Sequence, residues 1–337
     1  MALLLQLLQQ RSQKPWLTGL DQSVVLDLAA TLYHQLITQF PEPSSHRILL
    51  ETPNPEIFLA GLVAAITGGY DVFLGNPHWA APERKAVYSL VQPTLKLWDR
   101  AWQPLTPFPP KLLSGSPSRI MIPTGGSSGQ IRFAAHTWET LLASVQGFRQ
   151  YFQVDRVNSF CVLPLYHVSG LMQFVRSFTS EGQLVIQSFK TLFSDQAPLT
   201  VPQDCFLSLV PTQLHRLLTA DRSWAAWLAN FHAILLGGAP AWEDLLNRAR
   251  NDRLPLAPTY GMTETAAQIA TLKPAEFLAG NRSCGQVLPH AQIAIRDNKG
   301  HLLPSNQPGL LQIQATSLCL GYYSHPLPPS PPSAVSR

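Results

Sequence analysis

Charged side chains are scarce in this sequence. They make up 13% of the 337 residues, about half of the roughly 25% that is common in globular proteins. The 24 Lys and Arg residues exceed the 20 Asp and Glu residues by a formal charge of only +4, and they do not cluster. A protein that binds nucleic acid shows clustered Lys and Arg, so nucleic acid is not an expected partner.

Cysteine is also rare, and long apolar runs are missing. The four cysteines, Cys161, Cys205, Cys284 and Cys319, show no CxxC or other short metal spacing, which argues against a disulfide framework or a zinc site. Nothing reaches the roughly 18 consecutive apolar residues of a membrane span. Residues 1–10, MALLLQLLQQ, lack the basic start and the cleavage site of a signal peptide. We expect a soluble, cytoplasmic protein in a reducing compartment.

Apolar residues with helical spacing alternate with short apolar runs of strand length along most of the chain. Residues 47–51 and 70–74 have the pattern of buried strands on either side of an apolar helix at 56–67. The alternation resumes with helices at 137–152, 169–179, 212–218 and 242–250 and strands at 159–163, 183–186, 205–210 and 233–236. This rhythm predicts an α/β fold with parallel sheets.

The pattern changes near residue 283. Short strands at 292–296 and 310–314 predict a small β lobe at 284–323, after an α/β region at 1–283. The last segment, 324–337, contains five prolines and few apolar residues. We predict a disordered tail there.

The most distinctive local motif is PTGGSSGQIR at 123–132. Its glycines and hydroxyls can wrap an anion with backbone N–H groups, and Arg132 adds a positive charge. A Walker A loop is excluded because Gln130 follows the last glycine in place of Lys. The stretch also matches the G-x-S-x-G of serine hydrolases around Ser127, but a helix should then follow at once, whereas residues 131–134 have a strand pattern. A plain glycine-rich turn is the remaining alternative.

A second motif, LPLYHVSGL at 163–171, puts His167 in a turn between a predicted strand and a helix. Open α/β sheets bind ligands at the carboxyl ends of their strands, which favours a functional histidine over a structural one. Arg176 is the only charge in the apolar run VSGLMQFVRSF and lies two helical turns after Ser169. It is either a surface arginine with a buried stem or an anchor for a substrate carboxylate.

Two further motifs follow. LLGGAP at 235–240 ends a strand in paired glycines, which let a flat ligand approach the backbone. TYGMTET at 259–265 combines an aromatic ring, hydroxyls and the carboxylate of Glu264, a set that suits Mg²⁺ bound beside phosphates. A cluster of helix-capping residues would be the structural alternative.

In this order the motifs resemble the adenylate-forming superfamily of acyl-CoA synthetases, luciferases and peptide-synthetase adenylation domains. TGGSSGQIR is similar to its phosphate loop TSGTTGxPK, with Gly125 for Ser, Ile131 for Pro and Arg132 for Lys. LGGAP, YGMTET, SCGQVLP at 283–289 and PGLLQIQ at 308–314 are similar to its other signatures. The resemblance implies the large N-terminal α/β domain of that family, with layered subdomains, and an ATP-dependent acid–CoA ligase using ATP, Mg²⁺ and coenzyme A.

The resemblance also implies roles for individual residues. His167, Thr263, Glu264 and Arg132 would be catalytic, with Thr263 at the α-phosphate, Glu264 on Mg²⁺ and His167 beside the acyl and pantetheine sites. The acid would contact Ser169, Arg176, Gly261 and Met262. The residues that would bind ATP are Thr124, Gly126, Ser127, Ser128 and Gly129 at the phosphates and Gly237, Gly238, Ala239, Pro240 and Tyr260 at the adenine.

Within the superfamily, the HVSG turn followed by Arg176 is similar to the o-succinylbenzoate–CoA ligases of menaquinone and phylloquinone synthesis. Their substrate has two carboxylates, one of which is activated while the other needs a cation. The family's C-terminal domain, with its ribose-binding Asp and catalytic Lys, has no counterpart after 321–323, GYY. A ligase impaired by truncation and a nucleotide- or acyl-binding remnant are therefore both open interpretations.

Overall fold

The structure is a computed structural model that describes residues 3–105, 118–125, 130–193, 200–220, 223–304, 306–323 and 334–336. Packing divides the chain into two compact units. The first consists of Met1–Trp138, Leu165–Leu171 and Cys319–Pro329, and the second of Glu139–Pro164, Met172–Leu318 and Ser330–Arg337. Each unit is therefore assembled from separate stretches of the sequence.

The first unit alternates helices and strands. Its helices are α1 (Leu3–Arg11), α2 (Gln22–Gln39), α3 (Pro55–Gly68) and α4 (Ala81–Val91), with a 3₁₀ turn at Pro43–Ser45. Its strands are β1 (Leu17–Thr18), β2 (Arg47–Glu51), β3 (Asp71–Gly75), β4 (Leu95–Trp98), β5 (Ala101–Pro104), β6 (Ile120–Gly125) and β7 (Ile131–His136).

Strands β2 to β7 form one sheet in the order β5-β4-β2-β3-β6-β7. Strands β4, β2, β3 and β6 run parallel, and β5 and β7 pair antiparallel at the two edges. All of β2 and most of β3 are buried, which is why both sequences are nearly continuous apolar runs.

Helix α3 illustrates how local sequence sets the ends of an element. The side chain of Asn54 accepts hydrogen bonds from the backbone N–H groups of Glu56 and Ile57 at its start, and Gly69, with φ 83°, ends it in the left-handed region. The side chains from Ile57 to Thr67 are buried, as expected for a helix that is apolar all round.

The second unit contains a longer sheet and a small one. Its helices are α5 (Trp138–Phe152), α6 (Val168–Thr179, from Met172 onward in this unit), α7 (Pro211–Ala220), α8 (Ser223–Leu228), α9 (Glu243–Asn251) and α10 (Pro274–Leu278), with 3₁₀ turns at Thr191–Phe193 and Thr263–Thr265. Its strands are β8 (Asn158–Cys161), β9 (Leu184–Ile186), β10 (Cys205–Leu209), β11 (Ala233–Leu236), β12 (Leu256–Met262), β13 (Ala267–Thr271), β14 (Gln286–Val287), β15 (Ala291–Arg296), β16 (Leu310–Ala315) and β17 (Ala334–Ser336).

The strands of the long sheet that belong to this unit lie in the order β9-β8-β10-β11-β12-β13-β14. The first five run parallel, and β13 and β14 continue the sheet antiparallel. Strands β15, β16 and β17 form a separate antiparallel sheet. In the long sheet, the carboxyl ends of β11 and β12 lie side by side, where open α/β sheets bind ligands.

The predicted α/β class with parallel sheets is confirmed, and so are the strands 47–51 and 233–236 to the residue. The antiparallel strands β12 and β13 around YGMTET were not foreseen. The domain limits at 283 and 323 stay a prediction, because the compact units divide the chain elsewhere. Most of the predicted tail lies outside the described residues, and Ala334–Ser336 within it form β17.

The apolar run near the start of the chain is helix α1, and its side chains Leu4 and Leu8 are buried in the first unit. Among the described residues, no helix combines the length and the apolar character needed to cross a membrane.

Candidate functional site

A cavity of about 450 Å³ opens at the carboxyl ends of β11 and β12 in the second unit. Its volume is within the range of about 300–1,000 Å³ that is usual for small-molecule sites. The walls come from the ends of both strands, from α9 and from the segment after α10. The lining residues from the LLGGAP and TYGMTET motifs are Leu236, Gly238, Ala239, Pro240, Thr259, Tyr260 and Gly261.

The paired glycines at the end of β11, of which Gly238 lines the cavity, cannot be replaced by larger residues without strain. A Cβ on Gly237 would lie 2.5 Å from the hydroxyl oxygen of Thr259, which donates a hydrogen bond to the carbonyl of Leu236 at 3.3 Å. Gly238 has φ +79°, a conformation that L side chains rarely adopt. The chain therefore turns sharply after β11 and leaves an exposed backbone surface on which a flat ring can lie.

The opposite wall is held in place by Arg250 of α9. Its guanidinium donates to the carbonyls of Phe277 (3.2 Å) and Asn281 (3.3 Å) and lies over the Phe277 ring at 4.5 Å. These contacts fix the segment that carries Cys284, an exposed thiol that also lines the cavity.

The TYGMTET motif ends β12 and forms a 3₁₀ turn at Thr263–Thr265. Two non-glycine residues with positive φ follow, Ala266 (51°) and Ala267 (85°). Strained backbone of this kind persists only where surrounding contacts hold it, and it clusters at functional sites.

Buried serine hydroxyls provide those contacts. Ser144 donates to the carbonyl of Ala266 at 2.7 Å, and Ser317 donates to the carbonyl of Thr265 at 2.9 Å. The hydroxyl of Thr263 and the carboxylate of Glu264 therefore project from a turn that is held in place on two sides. No sequence motif pointed to either serine, because the partners are 122 and 52 residues away in the chain.

Glu264 is half-buried at this turn. Within the parts of the chain that the structure describes, no group of three or more His, Cys, Asp or Glu side chains could hold a metal on its own. Magnesium commonly uses only one or two carboxylates and takes its other ligands from substrate phosphates and water. A single carboxylate at a fixed turn fits that chemistry.

In the first unit, the glycine-rich motif joins the antiparallel strands β6 and β7. Thr124 pairs with Arg132 across this hairpin, and the guanidinium of Arg132 lies 4.3 Å from the ring centre of Tyr322. The strand after the loop is the one expected from the sequence and leaves no place for the helix of a hydrolase elbow. Four predicted phosphate-binding residues lie outside the described residues: Gly126, Ser127, Ser128 and Gly129.

His167 also belongs to the first unit. Its carbonyl accepts hydrogen bonds from the backbone N–H groups of Gly170 (3.0 Å) and Leu171 (2.9 Å), so the residue directly precedes helix α6 and accepts from its first turn. The ring reaches solvent and lies 4.7 Å from the Tyr166 ring. Desolvation by the surrounding chain lowers the pKa of His167 below its usual value, which favours the neutral imidazole at neutral pH.

Arg176 is buried, with 3% of its surface exposed, so the interpretation as a surface arginine is wrong. Its guanidinium donates to Oε1 of Gln268 at 2.7 Å and lies 4.2 Å from the ring centre of Phe148. Desolvation lowers the pKa of Arg176 to about 9. Arg176 does not line the 450 Å³ cavity but forms a separate polar cluster in the same unit.

The structure thus brings most of LGGAP and the first three residues of TYGMTET around one cavity and puts Arg176 elsewhere in the same unit. Gly237, Met262, Thr263 and Glu264 are not among the residues that line it; Gly237 lies against Thr259, and Met262 is half-buried at the end of β12. Thr124, Arg132, His167 and Ser169 belong to the first unit.

Comparison with known proteins agrees with this geometry. At 31% identity over 212 residues, the chain is similar to 2-succinylbenzoate–CoA ligase of Enterococcus faecalis, with 61% of this chain and 42% of the relative covered. The ligase of the same name from Escherichia coli is 31% identical over 210 residues, covering 61% and 41%. The matched part thus covers less than half of the length of these relatives.

Solved structures show the same fold. O-succinylbenzoate coenzyme A synthetase from Bacillus subtilis in complex with AMP superposes with a TM-score of 0.77 at 20% identity, over 94% of this chain and 71% of that one. The N-terminal domain of FACL13 from Mycobacterium tuberculosis gives 0.75 at 17% identity, over 96% and 91%. The sequence pattern of the family described as AMP-binding enzyme matches residues 73–323. Because that match takes in well over half of the chain, the protein belongs to the AMP-binding enzyme family.

Proposed function

We propose that the protein activates a carboxylic acid with ATP as an acyl-adenylate and transfers the acyl group to coenzyme A. A carboxylate oxygen attacks the α-phosphorus, the bond to the β-phosphate breaks, and pyrophosphate leaves. The thiol sulfur then attacks the acyl carbon, loses its proton, and displaces AMP. Membership of the AMP-binding enzymes and the two similar ligases support this reaction.

The nucleotide is proposed to bind in the 450 Å³ cavity, and this cavity is the observation that carries the function. Its wall at Gly238, Ala239 and Pro240, with the adjacent Gly237, would lie along the adenine, and Tyr260 would cover the ring. A base needs a flat surface more than it needs charge, and stacking on an aromatic ring adds affinity.

The phosphates would be held by charge and hydrogen-bond donors. Thr124 and the loop residues Gly126, Ser127, Ser128 and Gly129 would wrap the β- and γ-phosphates, and Arg132 would neutralise them. Thr263 would donate to the α-phosphate, and Glu264 would hold Mg²⁺. When bound, Mg²⁺ neutralises the charge that develops on the phosphate oxygens. Positioning and neutralisation are the main requirements for in-line attack at phosphorus.

The acid is proposed to be 2-succinylbenzoate, the substrate in the names of the similar ligases, and the product would serve menaquinone or phylloquinone synthesis. Gly261 and Met262 would contact the acyl group, and His167 would stand where acyl and pantetheine sites meet. Arg176, assisted by Ser169, would bind the carboxylate that is not activated. A buried cation that forms no ion pair with any described residue is suited to that task.

ATP–pyrophosphate exchange tests this function directly. The assay contains Mg²⁺ and 2-succinylbenzoate, with benzoate and a fatty acid as alternative acids. We expect exchange with 2-succinylbenzoate that is lost in Glu264→Gln and retained in Glu276→Gln, a control on α10 away from the turn. Exchange with none of the acids, or equal exchange in Glu264→Gln, would contradict the proposal.

A further inference from the structure

Arg176 of α6 and Gln268 of β13 form a hydrogen bond in the core of the second unit. The ring of His290, from the turn before β15, packs on Gly147, which is next in α5 to the Phe148 that lies under the Arg176 guanidinium. We call these three side chains, Arg176, Gln268 and His290, the Arg176 cluster. Arg176 and Gln268 are 3% and 7% exposed, and both ring nitrogens of His290 are shielded from solvent. The ring of Phe148 closes one side of the cluster.

Four polar atoms of this cluster are buried without a hydrogen-bond partner among the described residues. They are Nε of Arg176, Nε2 of Gln268 and the two ring nitrogens of His290, of which a neutral ring uses one as a donor. Since arginine can only donate, Oε1 is the Gln268 atom that faces Arg176, and the amide NH₂ is left free. None of the ion pairs among the described residues includes Arg176.

Buried polar atoms without partners are costly, and a group of them around a cation points to something that binds there. A ligand that satisfies the Arg176 and Gln268 donors has to accept hydrogen bonds, and negative charge on it would balance Arg176. A carboxylate has two oxygens and about four lone-pair positions, enough for donors from all three side chains.

The position of His290 is fixed from two sides. Its carbonyl accepts a hydrogen bond from the backbone N–H of Thr316 at 3.1 Å, and Ala291 donates to the carbonyl of Leu288 at 2.9 Å to close the turn. Its ring packs on Gly147 of α5 so closely that any Cβ there would overlap it. Glycine weakens a helix interior, so its presence at 147 serves the close approach of the ring.

We propose that His290 and Gln268 join Arg176 in binding the second carboxylate of a dicarboxylic acid and so set the preference of the site for such acids. The inference rests on the proposed function, since that function supplies the dicarboxylate. Desolvation and the charge of Arg176 lower the pKa of His290 to about 4, so the ring is neutral at neutral pH. One ring nitrogen then carries the proton that it donates to the carboxylate.

The test compares three acids by calorimetric titration of the full chain, with and without AMP. The acids are 2-succinylbenzoate, benzoylpropanoate, which lacks the ring carboxylate, and ortho-butyrylbenzoate, which lacks the chain-end carboxylate. In His290→Leu we expect affinity for 2-succinylbenzoate to fall about ten- to a hundredfold, as for the loss of one hydrogen bond to a charged group. One of the two monoacids lacks the carboxylate that the Arg176 cluster binds, and the affinity for that monoacid should be the same in His290→Leu and in the unchanged protein.

Gln268→Leu should show the same selective loss, and His290→Gln, which keeps a donor, should recover part of it. His215→Leu, at an exposed histidine of the same unit, is the matched control and should bind all three acids as the unchanged protein does. Equal losses for all three acids in His290→Leu, or no loss for any, would overturn the inference.

A second measurement does not depend on the variant folding. In the unchanged protein with labelled histidine, 2-succinylbenzoate should shift the ring signal of His290, and the monoacid without the bound carboxylate should not. A loss of binding in Arg176→Met with no effect at His290 would refute the role of His290 and leave the proposed function intact. Absence of binding by the unchanged protein, together with absence of pyrophosphate exchange, would refute both.

Discussion

Replacing Arg176 by methionine should stabilise the ligand-free protein while it removes the carboxylate site. Arg176 is a cation held 3% exposed, with one hydrogen bond from the guanidinium to Gln268 and one contact over Phe148. Methionine has a similar length, fills irregular apolar space and needs no partner. Functional groups of this kind commonly lower stability, because selection retains them for what they bind.

The magnitude follows from the pKa of Arg176. Its fall from 12.5 to about 9 is roughly 3.5 units, which corresponds to about 5 kcal/mol against the charged form. The variant loses about 1–2 kcal/mol of cation–π attraction and about 1–2 kcal/mol for the hydrogen bond to Gln268. We expect a net gain of about 1–3 kcal/mol in the free energy of unfolding.

Urea unfolding followed by tryptophan fluorescence measures this change. Arg156→Met serves as the control, because Arg156 is 70% exposed in the same unit and its distant pairing with Glu181 contributes little. Addition of 2-succinylbenzoate should stabilise the unchanged protein and not Arg176→Met. If Arg176→Met is destabilised by more than about 1 kcal/mol while Arg156→Met is neutral, the argument that this cation is held without a balancing partner is refuted.

Three other outcomes follow from the structure. Gly261→Ala should lower the free energy of unfolding by about 2–3 kcal/mol and weaken AMP binding, because the new Cβ overlaps the carbonyl of Ala267. Urea titration measures the free energy of unfolding, and calorimetry measures AMP binding. Unchanged values would show that the strand can shift to make room. The pKa of His290 is about 4 in the folded protein against 6.5 in the unfolded chain. Below pH 6.5 the unfolded chain therefore binds a proton that the folded protein does not, and the free energy of unfolding decreases as the pH falls. With allowance for partial solvent contact, we expect a decrease of about 2 kcal/mol by pH 4. In His290→Leu, the free energy of unfolding should not show this decrease between pH 6.5 and pH 4. The same decrease in the variant would contradict the assignment of the pH dependence to His290. AMP should slow alkylation of the exposed Cys284 thiol several-fold, because Cys284 lines the cavity. Mass spectrometry of the labelled peptide measures the rate of alkylation. An unchanged rate would indicate that AMP binds elsewhere.

Much of the fold could be predicted because its elements carry their own signals. Helix α3 has a capping asparagine, a continuous apolar body and a terminal glycine, and β2 and β11 are apolar runs of strand length. Strand β12 was missed, since LAPTYGM contains a proline and a glycine that usually end strands. Its pairing with β13 across a bulge is what holds it.

The candidate site also contains residues that the sequence revealed and residues whose position it left open. The motifs LGGAP and TYGMTET could be recognised as ligand-binding because glycines, hydroxyls and a carboxylate occur at short, fixed spacing. Arg176 stood out as a lone charge in an apolar helix, but its sequence was equally compatible with an exposed position. Its burial against Phe148 and Gln268 depends on residues 28 and 92 positions away, which no local pattern reveals.

The amino-acid sequence by itself therefore determined the alternation of helices and strands and the chemical character of each ligand-binding loop, because propensity, periodicity and turn chemistry act over a few residues. Only the tertiary structure decided which distant groups meet. It buried Ser144 and Ser317 under a strained turn and brought His290 against Gly147, the neighbour of the Phe148 that packs on the buried Arg176. Those contacts arise from packing between elements far apart in the chain, where burial and the need to satisfy polar groups select one arrangement among many.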